Sequence, residues 1–173
     1  MRNVRDDDLD VYYRIYCDPV MMAHLGGARP REEIPGKLRR HVAATASDEW
    51  WCSMIVPDDT DPDTIAGMVT IDGDRGTAEI GWAVLPEFQG RGVASAAVRL
   101  MVLRAAIDGR WGVLNAYPGV DNPASNGICR TLGFRLVGQA EATFSGLTFH
   151  SNHWQIEPPG ERLAGQGTRA TAT

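Results

Sequence analysis

The run that most constrains this 173-residue chain is Glu79-Ile80-Gly81-Trp82-Ala83-Val84-Leu85-Pro86-Glu87-Phe88-Gln89-Gly90-Arg91-Gly92-Val93-Ala94. Side chains alternate faces along a strand. Over Thr77–Leu85, Ala78, Ile80, Trp82 and Val84 therefore point one way, and Thr77, Glu79, Gly81 and Ala83 the other. The first face is bulky and apolar and suits a core; the second sets a carboxylate beside small residues. Pro86 ends regular pairing, and the Ala- and Leu-rich segment to about Ile107 reads as a helix opened directly by the glycine loop. Such a junction turns unpaired backbone N–H groups and the positive end of the helix dipole toward one point in space. It is a cradle for phosphate or pyrophosphate. No Gly-Lys-Ser/Thr follows, so it is not a Walker loop. Ser95 stands where a dinucleotide fingerprint needs its third Gly or Ala, and the preceding strand does not open a βαβ unit.

The flanking sequence supplies the scaffold. Residues 7–17 carry a helix-compatible apolar pattern, and a second helix is expected from Glu32 to Ala46 beyond the glycines and proline of 21–31. Trp50–Val56 and Thr64–Ile71 read as strands, separated by an acidic turn (Asp58, Asp59, Asp61, Asp63) that lacks the EF-hand spacing. A tight turn at Asp72–Gly76 leads into the strand carrying Glu79, completing a meander. Further strands are expected at Trp111–Tyr117, Phe134–Gly138 and Thr148–Ile156. Between the first two of these, Asn122 suits a helix N-cap, Pro123 the first helical position and Gly133 the residue past the end. Residues 1–157 read as one domain, and 158–173 as a disordered tail with little to bury.

Composition narrows the function. Seventeen basic against 22 acidic residues give a net charge of −5, which disfavours sequence-independent nucleic-acid binding. No apolar run is long enough to span a bilayer, and the charged start has no signal-peptide core, so a cytoplasmic location is expected. Cys17, Cys52 and Cys129 are scattered and odd in number, with no metal-ligand or disulfide spacing.

Gln89-Gly90-Arg91-Gly92-Val93-Ala94 fits the Q/R-x-x-G-x-G/A signature of the GNAT superfamily of acyl-CoA-dependent N-acetyltransferases. The segment Glu79–Val84 looks like that family's central strand. Downstream, Asn122-Pro123-Ala124-Ser125, ending in Leu132-Gly133-Phe134, is similar to its second motif. The resemblance is strong over residues 64–140 and holds only in outline over 1–50, where it is most like the branch that acetylates ribosomal-protein N-termini. It implies an α/β fold: a mixed, mostly antiparallel central sheet splayed in the middle, with helices on both faces. It also implies acetyl-CoA as the acyl donor, no metal, and an amine acceptor that is either a peptide N-terminus or a small molecule. A homodimer is compatible with it, and only about Met1–Val4 remain for a first strand.

The same resemblance assigns roles. Main-chain amides of Gln89, Gly90, Arg91, Gly92, Val93 and Ala94 would hold the pyrophosphate, with Asn122 also on the cofactor side. Pantetheine would pair with the backbone near Val84 and Leu85. Glu79 is the candidate base, or else orients water or substrate. Cys129 occupies the position where many relatives carry a Tyr acid, so Ser125 becomes the candidate proton donor, or else only a residue of the helix cap. His150 and His153 fall on opposite faces of a strand and read as surface histidines. His24, in the loop after the first helix, is placed on the acceptor side, and Trp50-Trp51 reads as core and rim. The 21–31 and 140–149 loops are expected to frame the acceptor. A non-catalytic acyl-CoA-binding or sensing domain would keep the cradle but have no use for Glu79.

Overall fold

The computed structural model describes residues 1–58, 60–73, 78–144 and 146–159. The turn residues 74–77 and the tail from 160 onward lie outside the described residues. The strands are β1 (Arg2–Asn3), β2 (Trp51–Ile55), β3 (Gly67–Asp72), β4 (Glu79–Val84), β5 (Leu114–Ala116), β6 (Arg135–Phe144) and β7 (Leu147–Ile156). They form one sheet in the order β1-β2-β3-β4-β5-β7-β6. Every neighbouring pair is antiparallel except β4 and β5, which run parallel. The helices are α1 (Leu9–Tyr16), α2 (Ile34–Ala46), α3 (Val93–Asp108) and α4 (Pro123–Thr131). No described helix is long and apolar enough to cross a membrane.

Strand alternation sorts the apolar residues into two cores. Val69, Ile71, Ile80, Val84, Leu114, Ala116 and Trp154 point to one face, where Val98, Met101 and Val102 of α3 and Cys129 of α4 cover them. Cys52, Met54 and Met68 point to the other, beneath Tyr12, Ile15 and Tyr16 of α1 and Ile34 and Leu38 of α2. The result is an α/β/α sandwich, the arrangement that buries both faces of a sheet. The expected alternation of β4 holds: Ile80 and Val84 are buried on the α3 side, while Glu79 and Ala83 face α1 and α2.

Three elements differ from expectation. The strand expected at Trp111–Tyr117 is only Leu114–Ala116, bounded by Gly112 at φ +61° and by Pro118. Trp111 is buried all the same, its ring edge-on to Trp51 at 5.1 Å. The 140–149 stretch is not a loop. Strands β6 and β7 run ten residues each to a tip beside Gly146, because Ala142, Thr143, Phe144, Thr148 and Phe149 continue the ladder. Strand β1 is vestigial at two residues, yet it is anchored. Asp8, almost fully buried, accepts bonds from the Arg2 guanidinium and from Arg5 N–H at 2.7 Å.

Gly67 lets β3 and β4 close. A Cβ there would lie 2.1 Å from the Ala83 carbonyl oxygen and 2.8 Å from Val84 Cα, both backbone atoms that a rotamer change cannot move. Gly67→Ala should therefore destabilise the protein by about 3 kcal/mol, read as a lower urea midpoint. The loss of acetyl-group transfer should follow unfolding rather than precede it.

Candidate active site

The cradle forms as the sequence requires. Strand β4 ends at Val84, Pro86–Phe88 make one 3-10 turn, and Gly90 and Gly92 take left-handed φ values of +71° and +77°. Nothing lies within 4 Å of a Cβ built at either glycine, so the loop is open on that side. Gly92 is the N-cap of α3 and offers no side chain to the helix; Ala96 N–H to Gly92 O, 3.0 Å, closes the first turn. The N–H groups of Val93, Ala94 and Ser95 thus meet no helical carbonyl, at the positive end of a 16-residue helix. An anion suits this end better than any residue nearby. This corrects the reading of Gln89: its N–H donates to Pro86 O at 3.2 Å and is not free for the cradle, while its side-chain amide donates to the Val84 carbonyl at 2.8 Å and braces the loop against the strand.

A gap opens beside the cradle. Strands β4 and β5 share one pairing, Glu79 with Asn115. There Ala78 O accepts from Asn115 N at 2.8 Å and from Asn115 Nδ2 at 3.1 Å. Backbone groups of alternate residues point to alternate sides of a strand. Leu85 N–H is turned to β3 and donates to Ala66 O at 2.8 Å, so Trp82 and Val84 present theirs to the gap. This corrects the reading of Leu85: its N–H is taken by Ala66, its carbonyl accepts from Phe88 at 2.9 Å, and its side chain is fully buried. Leu85 has nothing left to pair with a ligand. Val84 N–H does.

Glu79 sits at the apex of the gap on the α1/α2 face. Its cross-strand partner is Asp72, and its neighbour across the parallel rung is Asn115. The carboxyl is reachable by solvent yet walled by protein. That surrounding protein, with a smaller contribution from the Asp72 charge, lifts it from the ordinary 4.5 to about 7. Gly81 adds less room than the sequence implies, since Thr70 Oγ1 lies 3.2 Å from where its Cβ would be.

Side chains distant in sequence complete the apex. Asn115 Oδ1 accepts from His153 Nε2 at 2.8 Å and from Gln155 Nε2 at 3.1 Å, while its amide donates to Ala78 O. That arrangement fixes the His153 tautomer: Nε2 carries the proton and Nδ1 is bare. Burial, and then the Arg135 charge, hold this imidazole below its ordinary pKa. Tyr117 stacks on the ring at 4.7 Å, and its phenol is raised by burial and by Glu79. His153 is therefore part of the site rather than a plain surface histidine. Only the pairing of β5 with β7 brings it there.

Asn122 is the N-cap of α4, its Oδ1 accepting from Ser125 N at 3.0 Å. That bond uses the Ser125 backbone. Among the described residues its hydroxyl makes no hydrogen bond, and Ser125 is partly exposed. Cys129 lies wholly in the core and burial pushes its thiol up to about 12. It cannot stand in for a Tyr acid. Asn126 uses all four of its amide bonds. It donates to Gly119 O at 2.9 Å and Asn122 O at 2.7 Å, and accepts from Asn152 at 2.8 Å and Trp154 Nε1 at 2.9 Å. The residues between α1 and α2 reach the β6–β7 hairpin and the turn before α4. Gly26 backs onto Leu147 near the β6–β7 tip, and His24 Nδ1 lies 3.0 Å from Asp121 Oδ1.

A single β4–β5 rung, an uncapped helix end at the far end of β4 and a carboxyl beside the rung thus lie along one strand. The sequence model of the family described as acetyltransferase (GNAT) domain matches residues 1–135, most of the chain, and the chain belongs to that family. No protein of curated function matches it in sequence. Among solved structures, RimL, the ribosomal L7/L12 alpha-N-protein acetyltransferase in complex with coenzyme A, shares the fold. It has a TM-score of 0.75 and 18% identity, over 90% of this chain and 92% of that one. The ribosomal-protein-S5-alanine acetyltransferase from Vibrio fischeri aligns at TM-score 0.73 and 18% identity, over 91% of each chain. Microcin C7 self immunity acetyltransferase MccE, bound to acetyl-CoA and AMP, aligns at 0.72 and 19%, over 88% of each.

The raised Glu79 pKa has a thermodynamic sign. Between about 4.5 and 7 the folded protein holds a proton that the unfolded chain releases. Stability from this group therefore falls as pH rises through that window and levels off above it. Chemical denaturation of Glu79→Gln should show that slope reduced, with the gap between variant and wild type widening from pH 4.5 to pH 7.

Proposed function

We propose that this GNAT acetyltransferase moves the acetyl group of acetyl-CoA directly to a primary amine, with Glu79 as the base. The observation that carries the assignment is the placement of Glu79 at the single β4–β5 rung, at the closed end of a gap along which the same strand leads through Val84 to the bare end of α3. The described residues fit the donor: open glycines and unpaired N–H groups meet a pyrophosphate, and Val84 N–H faces the gap where a pantetheine arm would lie. Acetyl-CoA supplies an activated thioester. Val84 N–H polarises its carbonyl by donating to an oxygen that gains charge. The cradle N–H groups from Gly90 to Ala94 hold and orient the phosphates. Ser125, with its hydroxyl uncommitted, is the candidate to protonate the departing sulfur, and Asn122 orders the helix end that carries it.

Glu79 also bears on the acceptor. A carboxylate near pKa 7 takes a proton from a peptide α-ammonium at a cost of about one pH unit, but from a lysine-like ammonium at about three and a half. An α-amine is therefore the easier acceptor to deprotonate, by the difference between the two amines rather than by any selection that Glu79 makes. A domain that only sensed acyl-CoA would gain nothing from a carboxyl so placed.

Thiol release from acetyl-CoA, measured with short peptides bearing free α-amines and with small-molecule amines, tests the reading. With an accepted amine, Glu79→Gln should lower turnover by more than about tenfold while acetyl-CoA affinity holds. The wild-type rate should rise with pH through an inflection near 7, reflecting Glu79. In the variant the inflection should move to that of the amine itself, near 8 for an α-amine. Unchanged turnover in Glu79→Gln would remove Glu79 as the base.

A further inference from the structure

On the α1/α2 side of the sheet, a cavity of about 190 Å³ lies between Arg29, Glu33, Ile34, Lys37 and Arg40. Three of those five side chains are cations, in a chain whose net charge is −5. The one carboxylate, Glu33, is half exposed and meets only Arg29, Nη2 to Oε2 3.1 Å. Arg29 Nε is buried without a partner. Neither Lys37 nor Arg40 makes an ion pair among the described residues.

Lys37 is the only lysine in the chain. Its Nζ stands 4.8 Å from the ring centre of Tyr16 and 5.0 Å from that of Phe144, which stack on each other at 6.2 Å. Burial lowers its pKa, as does the charge of Arg40 and, more weakly, Arg29; Asp72 acts the other way. Asp72 is the cross-strand partner of Glu79, Phe144 ends β6 at the acceptor side, and Arg29 N–H donates to Tyr16 O at 2.7 Å. The cationic cavity therefore adjoins the approach to Glu79. Like charges gathered beside an apolar wall repel one another, and Arg29 is the one of the three that pairs with a carboxylate among the described residues; an anionic group would relieve the repulsion and give Lys37 and Arg40 a partner.

The geometry points to an anion subsite for the acceptor, in which Arg29, Lys37 and Arg40 hold a carboxylate or phosphate of the same molecule whose amine is delivered to Glu79. This rests on the acetyl-transfer reading above and narrows it. The acceptor is an amine that also carries negative charge, and polyamines are disfavoured because a second ammonium would meet the cations.

Matched C-amidated dipeptides test it: Ala-Asp against Ala-Asn, and Ala-phosphoserine against Ala-Ser, each with acetyl-CoA. The charged member of at least one pair should show a kcat/KM about tenfold higher, mainly through KM. The preference should collapse in the double variant Arg29→Gln/Arg40→Gln. Which pair shows it distinguishes carboxylate from phosphate, and equal values in both pairs would overturn the proposal.

A second readout needs no turnover and no variant. Lysine labelled with carbon-13 at Cε gives one side-chain signal, that of Lys37. With coenzyme A saturating, so that the cradle is filled, Ala-Asp or Ala-phosphoserine should move the Lys37 titration to higher pH, whereas Ala-Asn and Ala-Ser should not. Absence of that movement would also overturn the subsite. Movement without acetylation of any dipeptide would support the subsite and count against the transfer reading. Acetylation with neither preference nor movement would do the reverse.

Discussion

The structure turns on one rung. Strands β4 and β5 are joined only where Asn115 N and Nδ2 both reach Ala78 O, opposite Glu79. A longer parallel ladder would consume the backbone groups of Trp82 and Val84 and leave no edge for a donor. With no rung at all, the sheet would fall into two pieces. Asn115 is almost fully buried and uses its amide on both sides, donating to β4 and accepting from His153 and Gln155 of β7. It ties the two halves of the sheet together at the one place where they separate.

The two cores have different tasks around that rung. The α3 side is purely apolar where it meets β4 and β5, and it fixes the angle at which the bare helix end faces the gap. The α1/α2 side is apolar under β2 and β3 but turns polar at Asp72 and Glu79, continuing through Asn115, His153 and Gln155. One sheet face thus changes from core to chemical surface along its width. There the carboxyl of Glu79 is accessible without being fully solvated. That partial enclosure lifts its pKa, and no specific hydrogen bond is required.

Much of this was legible in the sequence wherever a local rule decides. Glycines beside a helix start, proline after a strand, and alternation along six residues located the cradle and Glu79, because each signal lies within a dozen positions. Asn122 as a cap followed from the same kind of rule. What escaped depends on sheet order. Asp72, Glu79, Asn115 and His153 share a face only because β3, β4, β5 and β7 are neighbours in that sequence, and nothing local in His153 announces it. Leu85 was misread because its two hydrogen bonds go to Ala66 and Phe88, which a strand pattern alone does not reveal. The long β6–β7 hairpin was missed because its outer half is exposed and carries alanine and threonine where a buried strand would be bulkier.

The uncapped end of α3 has a consequence for the folded state itself. Three amides at a helix start have no acceptor among the described residues, so the hydrogen-bond inventory there is one an anion can complete. A ligand that binds only the native state deepens it by mass action, increasingly as its concentration exceeds its dissociation constant. The thermal endurance of this protein is accordingly not a fixed property of the chain. With the donor's phosphates at this helix end, as proposed, it rises and falls with the supply of that molecule, which makes the donor a conditional part of the scaffold as well as a reactant.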